Sequence, residues 1–285
     1  MSEKLLTIGI ATYDDYDGLY FTIQALRMYQ IQGFEDKVEF VVIDNNPDSE
    51  HGKAAKIFVT NPVKGKYIPY TDKKTTFTKY EVFNHASGKY TLIMDSHVLL
   101  QENAIKNLIN YYENNPDTKN LITGPLWYDR LDYISTHFDP VWRGNMYGIW
   151  GTNKAAYDKG DPFEIEMMGT GLLSCKTSNW VGVNKHFKGF GAEEGYIHQK
   201  FRIAGGKCIC IPQLKWVHRF TRPNGVPYPN NLEERIWNYF IGWLEILKDP
   251  NDPFFQNIFT EFKQNISEEK INSIFLKAQE TLKNE

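Results

Sequence analysis

The sequence predicts an α/β fold, a mostly parallel sheet flanked by helices, with a helical region at its C-terminal end. Three observations carry this. Short apolar, β-prone runs recur at residues 5–11, 38–44 and 89–95, and each ends in a polar cluster. Stretches with helical spacing follow the runs, which makes strand–helix–strand units whose crossovers are right-handed and parallel. From Asn231 onward only the 3.6-residue period remains.

Residues 5–11, Leu5-Leu6-Thr7-Ile8-Gly9-Ile10-Ala11, have the continuous apolar character of a strand covered on both faces. Thr12 to Gly18 is polar and turn-like; Leu19, Ile23, Leu26 and Gln30 then share one helix face, ending near Gly33. Val38 to Asp44 is a second strand, stopped by the turn-forming Asn45-Asn46-Pro47-Asp48. A helix and a short strand are expected within 52–62, polar residues 64–80 show no clear period, and Tyr80 to Ala86 reads as a helix closed by Gly88. Lys89 to Asp95 is the third strand, running straight into Ser96-His97, and Glu102 to Tyr112 has helical spacing through Ala104 and Leu108. Residues 121–165, rich in Trp, Tyr and Gly, read as strands and substrate-side loops. Residues 169–175 and 207–218 read as extended, and Glu193 to Ala204 as a helix. Ile236, Phe240, Trp243 and Leu247 share a helix face that breaks at Asp249-Pro250, and Ile271, Ile274, Phe275 and Ala278 form another. The expected division is residues 1–225 for a catalytic domain and 226–285 for the helical region.

Composition narrows the function. The 285 residues are 41% hydrophobic and 24% charged, ordinary for a soluble globular chain. A net charge of −3 argues against a protein whose main work is gripping nucleic-acid phosphates. Aromatics reach 15%; most belong to a core, and a share is available to stack on flat sugar or base faces. Cys175, Cys208 and Cys210 are an odd set with no further cysteine to complete a metal site, so core thiols are expected. The start MSEKLLTIGIATYDD is no signal peptide, and no stretch approaches the ~18 apolar residues of a membrane span. A soluble, cytoplasmic protein is expected.

In open parallel sheets, ligands bind at the carboxyl ends of the strands. Thr12–Asp17, Asp44-Asn45-Asn46 and Asp95-Ser96-His97 all occupy such ends. Asp95 and His97 are alternate residues of an extended chain and so share a side. A divalent ion held there would bridge both oxygens of a pyrophosphate and neutralise the charge growing on a leaving nucleotide. Read alone, the bare D-x-H fits more readily a helix-capping Asp95 beside an incidental loop histidine.

The wider chain carries a resemblance. Leu92-Ile93-Met94-Asp95-Ser96-His97-Val98 resembles the D-S-H form of the D-x-D motif in the polypeptide N-acetylgalactosaminyltransferases and related GT-A enzymes. The block from Gly189-Phe190-Gly191-Ala192-Glu193-Glu194 to Gly205-Gly206 resembles their W-G-G-E-N … S-F-R-x-W-x-C-G-G segment. Cys210-Ile211-Pro212 … Trp216-Val217-His218-Arg219-Phe220 resembles their P-C-S-x-V-G-H-x-F-R. Ile8 to Arg27 and Val41 to Asn45 look like the opening strand–helix–strand of family-2 glycosyltransferases, so the resemblance spans roughly residues 5–220.

What the resemblance implies is a GT-A fold, a UDP-sugar donor, and Mn²⁺ or Mg²⁺ held by Asp95, His97 and His218. It sets Asp44, with Asn45, by the uracil or ribose, Thr12 in the nucleotide pocket, and Gly171 under the donor sugar. Glu193 or Glu194 would face the sugar or the acceptor hydroxyl. Arg219, Arg222 and Tyr228 lie in a Pro/Gly-rich loop after His218, which reads as a mobile lid over the diphosphate or as solvated loop residues. The D-S-H relatives imply retention of configuration. The alternative is an inverting family-2 course with Glu193 or Glu194 as general base. The chain departs from the pattern: Glu193-Glu194 stands for Glu-Asn, Val98 follows D-S-H in place of Cys-Glu, and neither membrane anchor nor lectin domain is expected. The acceptor therefore stays open between a glycan, a protein side chain and a hydroxymethylated DNA base. Two other classes use the same residues. A 2-His-1-carboxylate Fe(II) oxygenase does, although its order is H-x-D … H on an all-β fold; a silent sugar-nucleotide-binding module is the other. His85, His137, His186 and His198 lack matching partners and are expected to be structural or on the surface.

Overall fold

The three apolar runs become adjacent strands of one sheet. In the computed structural model, which describes residues 4–221 and 225–284, every one of their interior apolar side chains is buried. The strands are β1 (Lys4–Thr12), β2 (Val38–Asp44), β3 (Lys66–Pro69), β4 (Gly88–Asp95), β5 (Val98–Leu100), β6 (Leu121–Thr123), β7 (Leu126–Trp127), β8 (Ile134–Ser135), β9 (His137–Arg143), β10 (Met146–Gly151), β11 (Phe163–Glu164), β12 (Leu172–Lys176), β13 (Cys208–Cys210) and β14 (Trp216–His218). Eight of them form the main sheet in the order β11-β13-β6-β12-β4-β1-β2-β3. Pairs β1–β2, β1–β4, β2–β3 and β6–β13 are parallel, whereas β12 runs antiparallel between β4 and β6. Thr12 lies opposite Asp44 and Ala11 opposite Asp95, so the three polar clusters share one edge as expected. A small sheet, β5-β14-β7-β8, and a separate hairpin, β9–β10, stand beside that edge.

The helices are α1 (Tyr16–Ala25), α2 (Glu50–Thr60), α3 (Val82–His85), α4 (Ala104–Asn114), α5 (Lys154–Lys159), α6 (Glu193–Ile203), α7 (Leu232–Leu247), α8 (Phe254–Phe262) and α9 (Glu268–Lys283). Leu19, Ile23, Leu26 and Gln30 are all buried, the last two on a π-helical turn that prolongs α1. Gln30 is kept polar by its bond to the Gln101 carbonyl at 2.8 Å. Helix α3 lies so close to β1 that a Cβ on Gly9 would overlap the Val82 side chain.

Some local expectations fail. No strand follows α2 within 52–62; β3 lies at 66–69, an edge strand whose partly exposed residues give no apolar run. Gly88 opens β4 instead of closing a helix, because Ala86 is already extended. Helix α8 was unforeseen: its buried Phe255, Ile258 and Phe262 are masked in sequence by Phe254 and Phe259, which are half-buried beside them. Of the helices after residue 226, α7 packs against α6. Glu245 of α7 accepts hydrogen bonds from Lys200 and Tyr196 of α6, both at 2.8 Å. The three cysteines are buried and free, and burial pushes the Cys208 thiol up to about 12. Among the described residues, no helix is long and apolar enough to cross a membrane.

Candidate functional site

Strand pairing assembles the site. Asp95 ends β4 and His97 follows it, while β14 pairs antiparallel with β5 and sets His218 opposite Val98. His218 Nε2 thereby lies 3.1 Å from His97 Nε2 and 3.2 Å from Asp95 Oδ2. One ligand atom from each residue falls within 4.8 Å of the others. About 3 Å is the separation of neighbouring ligands around an octahedral ion with bonds of ~2.1 Å.

Asp15 decides which lone pair His97 offers. Its Oδ2 sits 2.6 Å from His97 Nδ1, which assigns the proton to Nδ1 and leaves Nε2 as an electron-pair donor toward His218 and Asp95. Two imidazole nitrogens and a carboxylate oxygen thus converge on one point, where a divalent cation would satisfy all three. Ser96 Oγ donates to the same Asp15 oxygen at 3.0 Å and Arg219 Nη2 to the other at 2.6 Å. Burial alone would raise the Asp15 carboxyl, but the hydrogen bonds from His97 and Arg219, with the Arg219 charge, hold it well below the usual range. Asp15 is also the N-cap residue of α1, yet its side chain makes no capping bond. It gives up roughly 1 kcal/mol of helix stabilisation to orient a histidine.

Lys79 supplies the local positive charge. Its buried ammonium donates to the Thr170 carbonyl at 3.0 Å and Oγ1 at 3.1 Å, and lies 3.5 Å from Asp95 Oδ1. Burial opposes the Asp95 charge, but Lys79 and then His218 outweigh it and hold that carboxyl far down. Glu193, at 2% exposure, accepts from Thr170 Oγ1 at 3.4 Å with Oε1, and its Oε2 has no hydrogen-bond partner among the described residues. Burial raises both Glu193 and Glu194, and the Glu193 charge raises Glu194 further.

These groups face one cavity of about 400 Å³. Thr12, Asn45, Gly171, Glu193 and Glu194 line it together with Asp95, His97 and His218. Asn45 organises the neighbouring loop: Nδ2 donates to the Tyr70 and Lys73 carbonyls at 2.9 and 2.7 Å, and Oδ1 accepts from Thr75 N–H at 3.1 Å. Gly171 leaves room, since a Cβ there would sit 2.9 Å from the Trp216 ring and 3.3 Å from Asp95 Oδ2. Two of the expected residues lie off this lining. Asp44 does not line the cavity; it is 1% exposed, accepting from Tyr67 Oη at 2.6 Å and Asn46 N–H at 2.9 Å. Arg219 also stays off the wall, half exposed and committed to Asp15. Arg222 lies outside the described residues.

His198 is structural as expected. Nδ1–H donates to the Glu194 carbonyl at 2.6 Å, Nε2 accepts from Met168 N–H at 3.1 Å, and burial lowers its pKa to about 4. Sequence reasoning missed Lys79, Asp15 and the aromatic side chains Phe138 and Trp150. Asp15 lay inside a recognised polar cluster without a role; Lys79 lay in the stretch that showed no period.

Residues 7–146 match the family described as Glycosyl transferase family 2. Among solved structures, GalNAc-T7 with UDP, GalNAc and Mn²⁺ is similar at a TM-score of 0.70 and 15% identity, over 98% of this chain and 55% of that one. Mannosyltransferase PcManGT from Pyrobaculum calidifontis, in complex with GDP-Man and Mn²⁺, is similar at 0.53 and 15% identity, over 98% and 74%. The chain thus spans about half the length of GalNAc-T7. No curated protein matches in sequence. The fold is that of GT-A glycosyltransferases, a large central sheet flanked by helices with further helices at the C-terminal end.

Proposed function

We propose that this chain, a family-2-like glycosyltransferase of GT-A fold, moves a sugar from a UDP-sugar to an acceptor hydroxyl with a divalent ion, Mn²⁺ before Mg²⁺. The observation that carries the reading is the convergence of Asp95, His97 and His218 at the strand-end cavity, with Asp15 setting the His97 tautomer. The metal, once bound, supplies charge neutralisation for the departing diphosphate. The chain's own residues do the rest by orientation and fixed charge. Lys79 keeps a cation beside Asp95, Thr12 and Asn45 form the nucleotide side, and Gly171 admits the donor sugar. GalNAc-T7 with UDP and Mn²⁺ supports the choice of donor and ion.

Retention is the first reading of the stereochemistry. The acceptor oxygen attacks from the face that the diphosphate leaves, the bond to the phosphate oxygen breaks, and that oxygen takes the hydroxyl proton. No strong protein base is then needed. Inversion has its own supporting observation: Glu194 faces the cavity with a raised pKa, which suits a general base. A glycan, a protein side chain and a hydroxymethylated base all offer the required hydroxyl. The oxygenase alternative loses ground, since the triad sits at the edge of a mixed α/β sheet and not on an all-β roll.

The test is a screen of UDP-sugars for Mn²⁺-dependent hydrolysis, followed by acceptors against the active donor. Asp95→Ala and His97→Ala should each lower turnover at least ~100-fold, the scale of a lost electrostatic partner. Full activity in excess EDTA, or faster turnover of GDP- or CMP-sugars, overturns the reading.

A further inference from the structure

The C-terminal helices grip the turn of the hairpin that completes the cavity. Hairpin β9–β10 reverses at Gly144 and Asn145, both left-handed at φ 60° and 63°. A non-glycine residue holds that conformation only where its surroundings fix it. Asn145 is fixed from three sides: its N–H donates to Glu261 Oε1 at 2.7 Å, its Oδ1 accepts from Asn265 Nδ2 at 2.9 Å, and its carbonyl lies 3.5 Å from Arg235 Nη1. Two residues on, Tyr147 N–H donates to Tyr239 Oη at 2.7 Å. Ring packing follows the same direction. Trp142 meets Tyr239 at 4.7 Å and Phe262 at 6.0 Å, and Tyr147 meets Phe254 at 5.5 Å and Trp243 at 6.0 Å.

The hairpin also contributes Phe138, Met146 and Trp150 to the cavity wall. Trp150 stacks on Phe138 with ring centres 5.8 Å apart and touches Phe220 at 5.4 Å, and Phe220 lies 4.4 Å from the His218 ring. The cavity therefore has two unlike parts. The sheet edge carries the metal-type ligands and Lys79, which suit a diphosphate; the hairpin part is apolar and aromatic, which suits the flat face of a ring and keeps water out.

We infer that α7 and α8 are the positioning scaffold of the acceptor side. By holding Asn145 and Tyr147 they fix the wall of Met146, Trp150 and Phe138, and so set acceptor affinity and water exclusion without touching substrate. The inference rests on the glycosyltransferase reading above. It makes Tyr239 and Glu261 positioning residues for a cavity to which neither belongs.

The experiment compares full-length wild type with Glu261→Ala, Tyr239→Phe, their double variant, and Glu261→Gln, which keeps an acceptor oxygen for Asn145 N–H. Each is assayed with Mn²⁺ and the UDP-sugar that the wild type hydrolyses, without acceptor and with p-nitrophenyl hexosides as acceptor probes. In the double variant, acceptor KM should rise about tenfold and acceptor-free hydrolysis about threefold, with donor KM unchanged. Glu261→Gln should behave as wild type. Unchanged hydrolysis and acceptor KM in the double variant overturn the inference; so does a parallel collapse of donor KM and Mn²⁺ affinity, which would mean support of the whole fold. Hydrogen exchange of amides 143–151 is read on the same proteins, and unaltered protection there overturns the scaffold whatever the kinetics. A wild type inert toward every UDP-sugar defeats the parent reading instead.

Discussion

Replacing Asp15 by Asn tests the site at a residue off the cavity lining. Asp15 serves three donors at once: His97 Nδ1 at 2.6 Å, Ser96 Oγ at 3.0 Å and Arg219 Nη2 at 2.6 Å. An amide oxygen still accepts from one of them, but it carries no charge, and its NH₂ group opposes the others. The His97 proton is then no longer confined to Nδ1, and the fraction of rings offering Nε2 falls. Losing such an outer partner costs about 10–100-fold in metal affinity, roughly 1.4–2.7 kcal/mol. Arg219 adds little of its own, because its side chain is 45% exposed and solvent screens the pair. Calorimetric Mn²⁺ titration should therefore rank the proteins: Arg219→Ala within about threefold of wild type, Asp15→Asn weaker by at least tenfold, and Asp95→Ala without measurable binding. Thermal melts of the metal-free proteins control for folding. Wild-type Mn²⁺ affinity in Asp15→Asn would refute the argument that this carboxylate sets the tautomer.

Three further outcomes follow from other parts of the site. Gly171→Ala places a Cβ 2.9 Å from the Trp216 ring and 3.3 Å from Asp95 Oδ2, so kcat/KM should fall at least ~10-fold and stability by about 1–3 kcal/mol; wild-type kinetics would remove Gly171 from the site. His198 binds its proton at about 4 in the folded state and near 6.5 when unfolded, so its contribution is complete above 6.5 and is lost as pH falls toward 4, by about 3 kcal/mol; urea melts across this range check the loss, and an imidazole titrating near 6.5 in the folded protein contradicts it. Proton NMR of the first-formed product from an α-linked donor should show the small anomeric coupling of retention; a large coupling means inversion, and Glu194→Gln should then abolish transfer without weakening UDP binding, while the wild-type rate declines below the raised Glu194 pKa.

Much of the scaffold was legible because it is local. A continuous apolar run buried on both faces needs no partner to be recognised, and the strand ends then located Thr12, Asn45 and Asp95 on one edge. Asp95 and His97 were legible as a pair from the alternation of an extended chain. His218 was not: its approach depends on β14 pairing with β5, 121 residues from His97, and only the resemblance pointed to it. Asp44 shows the limit of the strand-end rule. The rule places a residue at the edge, but the side chain turned toward Tyr67 on β3, a strand too short and too exposed to be read in advance.

Asp15 shows what a sequence hides at a functional position. Local propensity assigns an Asp before α1 to cap the helix, and by φ and ψ it does occupy the N-cap. Its carboxylate is drawn away by His97, 82 residues later, and by Arg219, 204 residues later. Lys79 is the same case with opposite sign: a buried ammonium is costly without partners, and its partners Asp95 and Thr170 come from two other strand ends. Both residues break a local preference, and in both the compensation lies at the candidate metal site. Such breaks can be seen only when the long-range partner is known, so Asp15 and Lys79 became readable from the fold, while the Asp95–His97 pair was visible in the chain.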